Sequence, residues 1–269
     1  MIHLRIKLLL AFSALFLQVV VAQHEGLKEE TFRDEGYAIQ HGAITRGDVN
    51  EKRLALVFTG DLYADGMDQI SQVLDSRRIC ATFFLTGNFY RNPGFAPHIR
   101  KLLAAGHSLG AHSNRHLLYC DWQNRDSLLV SREEFVRDLR ENYLEMQDFG
   151  IQWADAPFFL PPFEWYNDTI SAWTRSLGLQ LVNYTPGTLS HADYTVPGTA
   201  AYRSSQEIYQ SILEYERDSP EGLNGFILLM HAGSVADRTD KFYHHLEPLL
   251  EELTSLGYAF VPLTQLLEK

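Results

Sequence analysis

His112 and His116, in the run His-Ser-Asn-Arg-His, are the residues of this sequence best suited to holding a metal ion. On a helical turn, positions i and i+4 face the same way, so both imidazoles would reach one cation. Imidazole nitrogen suits zinc above all here, with cobalt, nickel and iron as alternatives. Asp61, in Phe58-Thr59-Gly60-Asp61, is the expected third ligand, leaving positions open for water and substrate. Asp61 is alternatively placed to act as general base. His231 ends the apolar run Phe226 to Met230. Imidazole titrates near neutrality, which qualifies His231 as a general acid. Pro161-Pro162-Phe163-Glu164-Trp165-Tyr166 is a stiff aromatic segment. Within it Pro162, Phe163 and Trp165 offer flat apolar faces of the kind that stack on sugar rings.

These residues need a scaffold that brings them together, and the chain reads as one. Short apolar runs at Leu54 to Phe58, Ala81 to Leu85, Ser108 to Ala111, Phe158 to Leu160, Gln180 to Asn183, Phe226 to Met230 and Tyr258 to Val261 are strand candidates. Helical spacing lies between them: Ile70, Val73 and Leu74; Ile99, Leu102 and Leu103; and the stretches 168–177, 205–216 and 241–256. Ser131 and Glu134 have capping-box spacing before a helix whose inner face is Phe135, Leu139, Tyr143 and Met146. Strand and helix alternating this often predict an α/β fold, a distorted (β/α)7-type barrel in a single domain over residues 51–269. In such barrels chemistry sits at the C-terminal ends of the strands, where Asp61, His112, the Pro161 loop and His231 all fall.

The margins of the chain read differently. Residues 1–22 combine His3, Arg5 and Lys7 with an apolar run from Leu8 to Val21 and small residues before Gln23. This is the pattern of a cleaved secretory signal peptide, which predicts a secreted or periplasmic protein without a membrane span beyond it. Residues 23–50 are polar and weakly patterned, an N-terminal extension expected to lie on the barrel. The whole chain carries a net charge of −11. That makes nucleic acid a poor partner and a neutral glycan a better one. Cys80 and Cys120 are the only cysteines and read as free thiols, with Cys80 buried beside a strand.

Taken together, these motifs resemble the polysaccharide deacetylases with a NodB-homology domain (carbohydrate esterase family 4). Gly106-His107-Ser108-Leu109-Gly110-Ala111-His112-Ser113-Asn114-Arg115-His116 is similar to that family's glycine-histidine lead-in and His-Ser/Thr-x-x-His metal motif. Ala81 to Gly87 resembles its second strand, and Leu229-Met230-His231 the strand that delivers its acid histidine. Leu160-Pro161-Pro162-Phe163 resembles its Arg-x-Pro-aromatic groove motif, with Leu in place of Arg.

The resemblance also exposes losses. The family's Thr-Phe-Asp-Asp, whose first Asp is the base and second a metal ligand, aligns with Val57-Phe58-Thr59-Gly60. Losing the base and its Arg partner together is physically coherent, because either alone would be an unpaired buried charge. The family's Asp-x-x-Asp-Trp segment has no Asp within Asn183 to Thr188, and Asp193 is the carboxylate that could stand in.

The resemblance implies a zinc-type divalent metal on Asp61, His112 and His116, His231 as acid, backbone N–H groups near Pro161 holding an oxyanion, and an acetylated glycan as substrate. Metal-assisted deacetylation is the leading expectation. A glycan-binding module that has lost the reaction is the alternative, and a metal hydrolase of another specificity is a third.

Overall fold

The computed structural model describes residues 36–268. The expected signal peptide lies outside the described residues.

The sheet is built around β3 (Arg53–Gly60), an apolar strand buried from Leu54 onward. It runs parallel to β8 (Phe226–His231) on one edge and to β4 (Thr82–Leu85) on the other. Beyond β4 come β5 (Ser108–Ala111), β6 (Phe158–Phe159) and β7 (Gln180–Leu181), all parallel, while the short β9 (Ala259–Phe260) pairs with the start of β3. The helices that follow the strands are α1 (Met67–Arg77), α2 (Gly87–Arg91), α3 (Ala96–Ala104), α4 (Arg132–Gln147), α5 (Asp168–Arg175), α6 (Ser205–Asp218), α7 (Leu246–Ser255) and α8 (Leu263–Leu266). This is the expected α/β architecture of the (β/α)7 barrel type.

Strand alternation divides the core in two. Leu54, Leu56 and Phe58 of β3 pack outward with Ile70, Leu74, Leu246 and Leu250 of the helices. Ala55, Val57 and Thr59 take the opposite face and point into the barrel. Thr59 is in register with Phe84 and His231, so all three side chains share that inner face.

The described part of the expected extension differs from a segment laid on the surface. β1 (Ala38–Gln40) and β2 (Ala43–Arg46) form an antiparallel hairpin, and Arg46 pairs with Phe226 of β8. Ile44 bridges Val182 just beyond β7. β2 therefore lies between the two ends of the curled sheet and is buried at Ala43, Ile44 and Thr45. Its polar sequence disguises it because only one short stretch of the hairpin is apolar. Cys120 is buried and Cys80 half-buried, and both are free thiols; Cys80 is thus less enclosed than expected. Among the described residues no helix is long and apolar enough to cross a membrane.

Candidate active site at the barrel mouth

β5 delivers the histidine pair. Alternation places Gly110 and His112 on its inner face, and a Cβ at Gly110 would meet the Phe84 ring at 2.5 Å, so the strand needs glycine there. Past β5 the chain does not form the helical turn expected for His112 and His116. It runs as an irregular loop with Ser113 at φ 72° and His116 at φ 55°, both in the left-handed region that non-glycine residues seldom occupy.

Asp138, on the inner face of α4 and fully buried, holds that loop. Its carboxylate accepts hydrogen bonds from Ser113 Oγ (2.6 Å), Asn114 N (2.9 Å), Arg115 N (3.2 Å) and Arg115 Nε (3.3 Å). One turn on, Asn142 accepts from His112 N at 2.9 Å and donates to the Leu85 carbonyl at 3.2 Å. Two buried polar residues on a helix face thus do the work that a helical turn was expected to do.

The two imidazole centroids lie 5.2 Å apart. His112 Nδ1 sits 2.7 Å from the Leu160 carbonyl, which can only accept, so Nδ1 carries the proton and Nε2 keeps its lone pair. Burial, reinforced by the charge of His116, lowers the His112 pKa well below the ordinary value. Burial also lowers that of His116, partly opposed by the Asp61 carboxylate. Both rings are therefore neutral near pH 7, the form that binds metal.

Asp61 follows β3 but is tied sideways. Its Oδ1 accepts from Thr86 Oγ1 at 2.8 Å and Asn88 Nδ2 at 3.0 Å. Among the described residues no three His, Cys, Asp or Glu side chains are grouped closely enough to hold an ion. The expected triad of Asp61, His112 and His116 is thus not assembled: the imidazole pair fits a transition-metal ion, and the carboxylate does not complete it. Nor could position 60 supply one as it stands, since a Cβ there would meet Leu85 at 2.9 Å and Phe89 at 3.0 Å. Thr59 is buried and its hydroxyl has no hydrogen-bond partner, while Leu160 is fully buried across the barrel. Thr59 and Leu160 therefore fill their positions by packing.

Across the mouth, His231 is held by a carboxylate. His231 Nδ1 lies 2.6 Å from Asp193 Oδ1, and His231 N donates to Asp193 Oδ2 at 2.9 Å. Burial, the largest single influence, disfavours charge on His231. Asp193, with help from Glu164, outweighs it and raises the pKa above the ordinary value. Glu164 itself is pushed up to about 7, chiefly by burial and further by Asp193, with His231 opposing. Sequence spacing could not pair Asp193 with His231, because the carboxylate arrives from an irregular loop 38 residues away. Asp65 is engaged elsewhere, with Lys241 Nζ at 2.8 Å and Ser234 N at 2.8 Å.

The aromatic loop frames the opening. Phe163 (φ 59°) and Glu164 (φ 53°) are consecutive left-handed residues, and with Ser113 and His116 they gather around this one site four of the six positive-φ non-glycine residues among the described residues. Phe163 is exposed, its ring centroid 4.4 Å from that of His116. Pro162 is buried. Trp165 differs from the expected open sugar face: its Nε1 donates to the Asp121 carbonyl at 3.2 Å and the Arg125 guanidinium covers its ring at 3.6 Å. Trp122, from the segment just past the histidine pair, is the exposed indole instead. Asp121 caps its own turn through Gln123 N and Asn124 N.

The profile of a known family, described as polysaccharide deacetylase, matches residues 46–182. An uncharacterized 30.6 kDa protein of Geobacillus stearothermophilus is 23% identical over 228 residues, which are 84% of this chain and 75% of that protein. Among solved structures, a CE4 family pseudoenzyme from Bacillus anthracis superposes with a TM-score of 0.66 at 17% identity, covering 86% of this chain and 70% of that one. A mutant of that protein is described as having restored enzymatic activity. A family 4 acetyl xylan esterase from Clostridium thermocellum, in complex with a cobalt ion, gives a TM-score of 0.59 at 23% identity over 80% of this chain and 90% of that one.

Proposed function

The chain belongs to the polysaccharide deacetylase family, and from that premise we propose that it is a secreted hydrolase releasing acetate from N- or O-acetyl groups of a glycan. The observation that carries this reading is the His231–Asp193 pair, a half-buried, oriented and basic imidazole at the same mouth as two neutral imidazoles. A module that only bound sugar would have no use for that arrangement.

His112 and His116 would hold a divalent transition metal, zinc in the first instance, which when bound supplies Lewis-acid polarisation of the acetyl carbonyl and a more acidic water. Each of the remaining steps belongs to the chain's own groups. Asp193 keeps the proton of His231 on Nδ1, so Nε2 is the atom that gives its proton to the departing amine or alcohol. Pro161 and Pro162 lack N–H groups, and those of Glu164 and Trp165 go to the Pro161 and Pro162 carbonyls. Phe163 N–H is thus the loop's donor toward an oxyanion. Asp61 and Glu164 are the carboxylates available as base.

The test is acetate release from a panel of acetylated glycans by wild type, His231→Ala and chelator-treated protein. Release that exceeds both controls supports the reading; release that never exceeds the chelated control removes it. Thr59 and Gly60, standing where the family has two carboxylates, favour a second reading: a glycan-binding module without turnover. Tight glycan binding that chelation leaves unchanged would be its signature.

A further inference from the structure

We propose that Arg238 is the positioning residue that sets Asp193 against His231, by clamping the segment after Asp193 to the segment after His231; the inference rests on the hydrolase reading above. Arg238 is fully buried, the largest such side chain among the described residues. A guanidinium taken out of water is costly unless its donors are met. The hydrogen bonds of Arg238 all run to uncharged oxygens. Nη1 donates to the Thr195 carbonyl at 2.6 Å, to Thr195 Oγ1 at 3.3 Å and to the Arg203 carbonyl at 3.0 Å, and Nη2 donates to Ser205 Oγ at 3.4 Å.

The place of those oxygens gives the clamp its meaning. Asp193, Tyr194 and Thr195 are consecutive, and each meets the chain that ends β8 or follows it. Asp193 grips His231 through both carboxylate oxygens, the Tyr194 ring centroid lies 4.7 Å from that of His231, and the Thr195 carbonyl accepts from Arg238. Thr195 Oγ1 also donates to the Ala192 carbonyl at 2.7 Å and accepts from Arg203 N at 3.1 Å, which draws this loop together around the guanidinium. The other side of the clamp is anchored. Asp65 accepts from Ser234 N and pairs with Lys241 Nζ, and Lys241 donates in turn to the Ser234 and Val235 carbonyls. Asp240 accepts from Ser205 N at 2.6 Å, which ties the same segment to the start of α6.

The chemistry of the clamp calls for arginine. A planar fork holds the Thr195 and Arg203 carbonyls at once, whereas an ammonium is a point donor on a flexible stem. The guanidinium also acts through its charge. Burial lowers the His231 pKa, Asp193 and Glu164 raise it, and Arg238 opposes them. His112, His116 and His191 are the other titratable groups that feel the His231 charge. Arg238 thus holds the Asp193 carboxylate close while its own charge limits the rise, which keeps Nε2 able to give up its proton.

The test is NMR of histidine-labelled, metal-free wild type, Arg238→Lys and Thr195→Val, with His231 assigned from its loss in His231→Gln. Both clamp variants keep the positive charge. Thr195→Val removes the hydroxyl contact and leaves the carbonyl one, so it serves if Arg238→Lys does not fold. The His231 titration midpoint is expected to fall by about one pH unit in Arg238→Lys and by less in Thr195→Val, with the low-field Nδ1–H resonance moving upfield. Where acetate is released, kcat is expected to drop about ten-fold at unchanged KM. A His231 midpoint and Nδ1–H resonance that match wild type in every folded variant would overturn the proposal and leave Arg238 a packing residue. The expected shifts, with no acetate released by wild type from any substrate, keep the clamp and remove the hydrolase reading instead.

Discussion

Asp193 grips His231 at two points, with Oδ1 on Nδ1 at 2.6 Å and Oδ2 on the backbone N–H at 2.9 Å. One carboxylate thus fixes the tautomer, the ring plane and the backbone of the proposed acid. Asp193→Asn keeps the shape and removes the charge, so the His231 pKa falls. The alkaline limb of the acetate-release profile is expected to move to lower pH and the maximum rate to drop about 100-fold. A pH–rate profile identical to wild type would show that His231 is not the acid.

Asp138 is the keystone of the His112–His116 loop. Asp138→Ala leaves Ser113 Oγ and two backbone N–H groups without their buried acceptor, a loss of about 1–3 kcal/mol each at most. Zinc affinity, read by titration against a chelating dye, is expected to fall about 10–100-fold, with a lower thermal midpoint. Undiminished zinc binding would mean that the loop's left-handed geometry does not position the imidazoles.

Positions 59 and 60 should respond oppositely to carboxylates. Thr59 has a hydroxyl without a partner on the inner face beside His231, so Thr59→Asp places a carboxylate at the mouth. Acetate release is expected to rise about ten-fold or more. Gly60→Asp drives Cβ into Leu85 and Phe89 and is expected to destabilise the fold by about 1–3 kcal/mol. The pair is read by acetate assay and urea unfolding, and a stable Gly60→Asp protein would contradict the packing described here.

Glu164 makes stability depend on pH. Its folded pKa, about 7, lies above its unfolded value of about 4.3, so folding takes up a proton between the two. That contribution is fully present below the unfolded value and is lost as pH rises through about 7. His231, also raised, loses its contribution in the same upward direction. Glu164→Gln should flatten the decline in thermal midpoint between about pH 5 and pH 8, worth up to about 3 kcal/mol. Parallel curves for variant and wild type would place the Glu164 carboxyl in water.

Much of this fold was legible because its strands are apolar and evenly spaced. β5 was read to its exact ends at Ser108 and Ala111, and the inner face of α4 was read at Phe135, Leu139, Tyr143 and Met146. β2 was not, since its burial comes from barrel closure against Val182 and Phe226, which no local pattern reveals. In the site, His112, His116 and His231 were legible from type and spacing. Asp193 was named as the carboxylate that could stand in, but its grip on His231 was not legible, because a loop brings it in from distant sequence, and neither was Asp138, which reaches the histidine loop from a buried helix face. Trp165 was over-read: composition shows an aromatic, but only packing shows which of its faces is covered.

Metal content of the purified chain, set beside a His112→Ala/His116→Ala double variant, separates the two functional readings most directly. After incubation with zinc and desalting, about one ion per wild-type chain and none in the double variant is the expected result. Wild type that retains no more zinc than the double variant would contradict a metal site on these histidines, and with it the hydrolase.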